Sequence, residues 1–273
     1  MPDMPRVSGS LTLGLTLAAL LLPRSPSALD RGADGNFDQR RSTHFRLLQD
    51  VDIDRVTGPE GSRRFERDVL EALEDAFREV HKTLDIRPRR AIDVVIYDPG
   101  VFDQEYSTQF GFRAAGFYNG VIHVRGDIKV DRGLVRTLHH EYFHAALDAV
   151  TAQGRVPAWL NEGLAEWFEN RATGKHRLSQ GEHAYLSQAH RLGNWVPLST
   201  LSRPTFAGLD ETSATLAYLQ SYAMIEHLVR RHGERRLRSF MRQLIRGANI
   251  DWLLKREFRI SLAELEENLR AEL

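Results

Sequence analysis

The 273-residue chain predicts an α+β fold: a small mixed β-sheet with one amphipathic helix in the N-terminal half, a helical C-terminal half, and a cleft between them. Three observations carry that prediction. Strand-like runs stop at Val124. Asn119-Gly120 separates two of those runs, the strongest short hairpin signal a sequence offers. From Asp131 onward nearly every apolar residue recurs at helical spacing.

The elements follow in order. Arg6 precedes an uncharged, leucine-rich run from Val7 to Leu22, then Pro23 and the small residues Ser25, Ser27 and Ala28. This is the layout of a secretory signal over residues 1–28, cleaved or kept as an anchor. Residues 29–41 read as a polar, flexible lead-in, and residues 42–273 as one domain divided near residue 130. His44 to Leu48 reads as a strand. Ser62 to Leu84 carries Phe65, Val69, Leu73, Ala76, Phe77, Val80 and Leu84 on one helical face. Ile92-Asp-Val-Val-Ile-Tyr97 is a β-branched run suited to a buried strand. Gly116 to Tyr118 and Val121 to Val124 form the hairpin. Helices follow over Leu134 to Val150, Pro157 to Glu169, the segment around Tyr218 and Tyr222, Arg236 to Ile245, and from a capping box at Ser261 and Glu264.

Composition excludes several function classes. Lys plus Arg equals Asp plus Glu at 37 each, so a dominant nucleic-acid role is not expected. No cysteine is present, which removes disulfides, thiol catalysis and thiolate metal sites. A metal must therefore be held by histidine and carboxylate.

His140-Glu141-Tyr142-Phe143-His144 supplies that chemistry. Histidines at i and i+4 lie about 40° apart around a helix, so both imidazoles can face one zinc ion. Glu141, turned about 100° from His140, is placed beside the metal as a general base rather than as a ligand. In Pro157-Ala-Trp-Leu-Asn-Glu162-Gly-Leu-Ala-Glu166 a second helix returns against the first. Glu162 completes a two-His, one-Glu ligand set for one zinc per chain, with a position open to water. Glu166, one turn on, is expected to hold the outer nitrogen of a ligating imidazole. The bland alternative makes all of these solvated helix residues. His139 is expected to be structural or solvated, and His227 and His232 to lie on the surface. Arg230, Arg231, Arg235, Arg236 and Arg238 read as a solvated helix face. Trp159, Trp167, Phe168 and Phe143 read as core beneath the site.

These motifs resemble the gluzincin metallopeptidases, and within them the compact peptidase MA-like group. The likeness extends from about Phe45 to Tyr222. It implies a zinc-dependent peptidase in which Glu162 is the third ligand and Glu141 the base. It also implies that Gly116, Phe117 and Tyr118 form an edge strand that pairs with an extended peptide. By the same likeness, a tyrosine of the C-terminal helices, Tyr222 rather than Tyr218, covers the metal as a second catalytic group. The expected partner is a peptide or protein substrate, with no nucleic acid and with membrane contact only through an uncleaved N-terminus. Export to the periplasm, cell envelope or medium is expected. The alternative function is an inactive relative that keeps a structural zinc and binds peptides in the same cleft.

Overall fold

The computed structural model describes residues 37–51, 53, 58, 60–110, 115–151 and 156–273. The signal expected over 1–28 lies outside them, as do residues 29–36 of the lead-in. The α+β layout is the observed one.

Five strands form one sheet: β1 (Asp38–Arg41), β2 (Phe45–Asp50), β3 (Ile92–Tyr97), β4 (Gly116–Tyr118) and β5 (Ile122–Arg125), in the order β1-β2-β3-β5-β4. The two central pairings are parallel, and the two outer ones, β1 with β2 and β4 with β5, are antiparallel. Both parallel connections contain a helix, as a crossover requires. They are α1 (Gly61–Leu84) and α2 (Pro99–Phe110).

Strand alternation divides the core. Phe45, Leu47, Val94, Ile96, Ile122 and Val124 point to one face and join the main core with α1 and the later helices. Val95, Tyr97 and Phe117 point the other way and pack with Phe102 of α2. On that second face His123 stacks on Phe117, with ring centroids 4.5 Å apart, and bonds Tyr97 and Asn119.

Two local readings are corrected. Asp38–Arg41, assigned to the flexible lead-in, is the edge strand β1. It is polar and mostly exposed, so backbone pairing with β2 rather than apolar alternation defines it. Its Arg40 also reaches Glu66 of α1, at 2.6 Å.

The C-terminal half is helical: α3 (Arg132–Asp148), α4 (Ala158–Ala172), α5 (Gln180–Arg191), the single turn α6 (Leu198–Leu201), α7 (Glu211–His232), α8 (Glu234–Ile245), α9 (Ile250–Leu253) with a π-helical turn over Leu254–Phe258, and α10 (Leu262–Ala271). Asp131 caps α3, its carboxylate accepting from the Leu134 N–H at 2.8 Å. The expected capping box at Ser261 and Glu264 opens α10.

His227 is the second correction. It is buried, with Nδ1 3.1 Å from Glu272 Oε2. Much of the arginine cluster is committed within the protein: Arg230 and Arg231 pair with Glu272, Arg236 donates to the Glu257 carbonyl and Arg238 to the Thr83 carbonyl. Trp159, Trp167, Phe168 and Phe143 are buried, as the core reading expects.

Candidate metal centre

The centre lies where α3 and α4 pack side by side. Arg136, His140 and His144 recur every four residues on α3. Glu162, Glu166 and Glu169 follow at four and three on α4. Each set therefore forms a single stripe, and the stripes face each other. Helix α4 is pinned from behind by α7. A Cβ on Gly163 would stand 2.5 Å from the Ser221 carbonyl oxygen, so only glycine permits this approach.

His140, His144 and Glu162 each offer one ligand atom, and these atoms lie within 4.8 Å of one another. Glu162 Oε2 is 3.7 Å from His140 Nε2 and 3.3 Å from His144 Nε2. Ligands at about 2.0–2.1 Å from a tetrahedral centre stand about 3.4 Å apart, so the observed separations suit a metal between them. All three atoms are buried and make no hydrogen bond with the described residues. Buried polar atoms left this way are costly. A bound divalent cation satisfies all three at once, and the residues fit the ion the motif implies.

The outer nitrogens are held. Glu169 Oε2 accepts from His140 Nδ1 at 2.7 Å, and Asn161 Oδ1 accepts from His144 Nδ1 at 3.0 Å. Carboxylate and amide oxygens only accept, so each Nδ1 carries the hydrogen and each Nε2 keeps its lone pair for a metal. The acceptor on His140 is thus Glu169, where the sequence reading puts Glu166. Both acids lie on the stripe facing α3; the phase of one helix against the other decides which of them meets the ring. Asn161 was not singled out from sequence, although its place beside Glu162 was a usable signal.

Glu166 stays in the cluster, buried, with Oε1 unbonded among the described residues. Burial, and then the Glu169 charge, pushes its pKa up to about 8. The His140 pKa also rises, but there the neighbouring charges decide it. Burial disfavours its charge, but the adjoining Glu162 and Glu169 carboxylates and the Glu141 charge outweigh burial and raise its pKa well above the ordinary value. A second triad, His140 with Glu166 and Glu169, also lies within 4.8 Å. Its 2.7 Å His140–Glu169 contact is a hydrogen bond and leaves no room for an ion between those two atoms.

Glu141 is buried on α3 next to the edge strand. A Cβ on Gly116 would meet Glu141 Cγ at 3.2 Å and Thr137 Cγ2 at 2.8 Å, so β4 passes directly over Glu141. Tyr118 extends the contact along the helix, its hydroxyl donating to Asp148 Oδ2 at 2.8 Å. Phe117 faces the opposite side of the sheet, into the second cluster. Among the described strands β4 lies at the end of the sheet, beside β5.

Tyr222 is buried on α7, next in sequence to Ser221 at the α4 crossing. Its hydroxyl has no hydrogen-bond partner among the described residues, and Lys175 Nζ lies 5.0 Å from its ring centroid. Burial, with the charges of Glu182, Glu226 and Glu166, raises its pKa and keeps it protonated. Tyr218 packs edge-on against Phe206, 5.2 Å between centroids. His139 is buried with Nδ1 4.0 Å from Glu79, a structural position.

No curated protein matches the chain. The family model described as the Peptidase MA superfamily matches residues 72–273, which includes both stripes and every helix after the sheet. With that match and the buried His140, His144 and Glu162 cluster together, the chain belongs to the Peptidase MA superfamily.

Proposed function

We propose that this protein is an exported, zinc-dependent metallopeptidase of gluzincin type. One observation carries the reading: three ligand atoms without hydrogen bonds among the described residues converge at tetrahedral spacing beside a buried glutamate, under the strand β4. Zinc held by His140, His144 and Glu162 would polarise a scissile carbonyl and make an attacking water more acidic.

The remaining work falls to the chain's own residues. The outer strand β4, over Gly116, Phe117 and Tyr118, aligns an extended peptide by backbone hydrogen bonds. Gly116 leaves that peptide close to Glu141, since any larger residue would press on the carboxylate's stem. Glu141 accepts the proton of the attacking water and passes it to the leaving amine. Tyr222, kept protonated by burial and surrounding acids, donates to the oxyanion of the tetrahedral intermediate. Glu169 and Asn161 hold the two imidazoles in the ligating tautomer.

Export rests on Arg6 and the apolar run from Val7 to Leu22. Among the described residues no helix is long and apolar enough to cross a membrane.

The test is digestion of a broad peptide library by zinc-loaded protein, beside the Glu141→Gln variant. The variant should bind zinc like the parent while turnover falls about 10²–10⁴-fold, the usual worth of a positioned base. Equal behaviour of both proteins, with no hydrolysis by either, would leave a peptide-binding protein with a structural zinc. Loss of zinc in the variant would make Glu141 a ligand and overturn the assignment.

A further inference from the structure

Two buried glutamates one turn apart on α4 lie near one imidazole. Glu166, Glu169 and His140 each bring an atom into a single 4.8 Å cluster, yet only Glu169 bonds the ring. The difference between the acids is a third residue. Arg136 Nη2 stands 2.7 Å from Glu169 Oε1, while the other oxygen, Oε2, takes His140 Nδ1. Arg136 is four residues before His140, so it rises from the same face of α3 and reaches the acid directly beyond the ring. Glu169 is thereby bridged, one oxygen to each cation-capable partner, and its side chain is 1% exposed. Glu166 has no arginine or lysine in ion-pair contact among the described residues.

We infer that Arg136 is a positioning residue, which selects Glu169 over Glu166 as the carboxylate that orients His140 for the metal. A charge-assisted bond of this length fixes the carboxylate in place and keeps it an acceptor. Without the guanidinium, Glu169 would hold a buried charge with one oxygen unmatched, and its advantage over Glu166 would vanish. His140 would then divide between two acceptors that pull the ring from different turns of α4. The inference rests on the metal-centre reading above and adds to it a residue outside the ligand set.

The experiment is zinc affinity by chelator competition on the full chain. It compares the parent with Arg136→Gln, Glu166→Gln, Glu169→Gln and the two doubles that combine Arg136→Gln with each glutamine. Thermal unfolding of the metal-free forms is recorded in parallel. In the parent background Glu169→Gln should weaken zinc binding about 10- to 100-fold, the usual worth of such a partner, and Glu166→Gln should change it little. Arg136→Gln should weaken zinc too. In its background the penalty for Glu169→Gln should shrink and that for Glu166→Gln should grow. A purely structural arginine would lower stability without exchanging those two penalties. Unchanged penalties in the two backgrounds, or parental zinc affinity in Arg136→Gln, would overturn the inference. If Arg136→Gln does not fold, Arg136→Lys carries the same comparison, with the exchange expected in weaker form and its absence decisive. A parent that binds no zinc would instead refute the metal centre itself, a separate result.

Discussion

Gly163→Ala should destabilise the protein, although helix propensity alone predicts the opposite. Gly163 lies within α4 beside the candidate ligand Glu162, where α7 crosses. An added Cβ would stand 2.5 Å from the Ser221 oxygen, and 2.8 Å from both the Ser221 carbonyl carbon and Ile225 Cγ1. Ordinary contact begins near 3.4 Å, so the helices must part by roughly 0.9 Å. Two of the three contacted atoms are backbone and cannot turn aside, which places the overpacking cost near the upper end of the usual range, about 3 kcal/mol. Replacing glycine by alanine in a helix returns about 1 kcal/mol. The net loss is about 2 kcal/mol, or roughly 4–8 °C in Tm for a domain of this size. Circular dichroism melts of the metal-free protein measure it. A displaced Glu162 should also weaken zinc in chelator competition. A variant that melts at or above the parental temperature would refute the argument, because propensity would then have outweighed the crossing.

Other expectations are simpler. Asn161→Leu removes the acceptor on His144 Nδ1 and should weaken zinc about 10- to 100-fold in chelator competition. Tyr222→Phe should leave zinc affinity unchanged while kcat on a cleaved peptide falls about 10²–10³-fold, the scale of one oxyanion donor. Stability should also fall with acidity. Burial pushes the pKa of His123 down to about 4, so between pH 6.5 and 4 the unfolded chain binds a proton that the folded chain refuses. Stability is therefore lost as pH falls through that window, by on the order of 3 kcal/mol from this residue. Denaturant titrations across the window should show a shallower pH slope in His123→Gln than in the parent.

The parts of this structure that sequence made legible are those with a fixed local period. His140 and His144 face one way because a helix repeats, and Glu162 follows once a second helix is recognised. Ile92–Tyr97 appears with the predicted bounds because burial on both faces demands an apolar run. Glu169 was not legible, because choosing it over Glu166 requires the phase of α4 against α3. The edge strand β1 was hidden by its polar side chains, and its pairing is a backbone matter. Helix α2 escaped notice as well. Its apolar residues Phe102 and Tyr106, four apart, serve the smaller cluster on the far face of the sheet, and they were the available signal. His227 passed for a surface residue because its partner Glu272 lies 45 positions away.

The candidate ligands and the residues that hold them, from Arg136 to Glu169, all come from one pair of packed helices, α3 and α4. A metal closing a loop of about 20 residues works against a chain entropy of only roughly 2.5 kcal/mol, since closure cost grows slowly with length and starts small here. Capture of the proposed metal would therefore be a local event in folding, needing two helices and little else. The edge proposed to align a peptide is different. β4 is placed through β5, which lies parallel to β3, and β3 in turn to β2. Those pairings are distant in sequence and slower to form. If the proposed roles hold, the chain joins a locally assembled centre to an edge that also depends on the distant pairings of the sheet, so damage to the sheet should reach that edge before it reaches the metal centre.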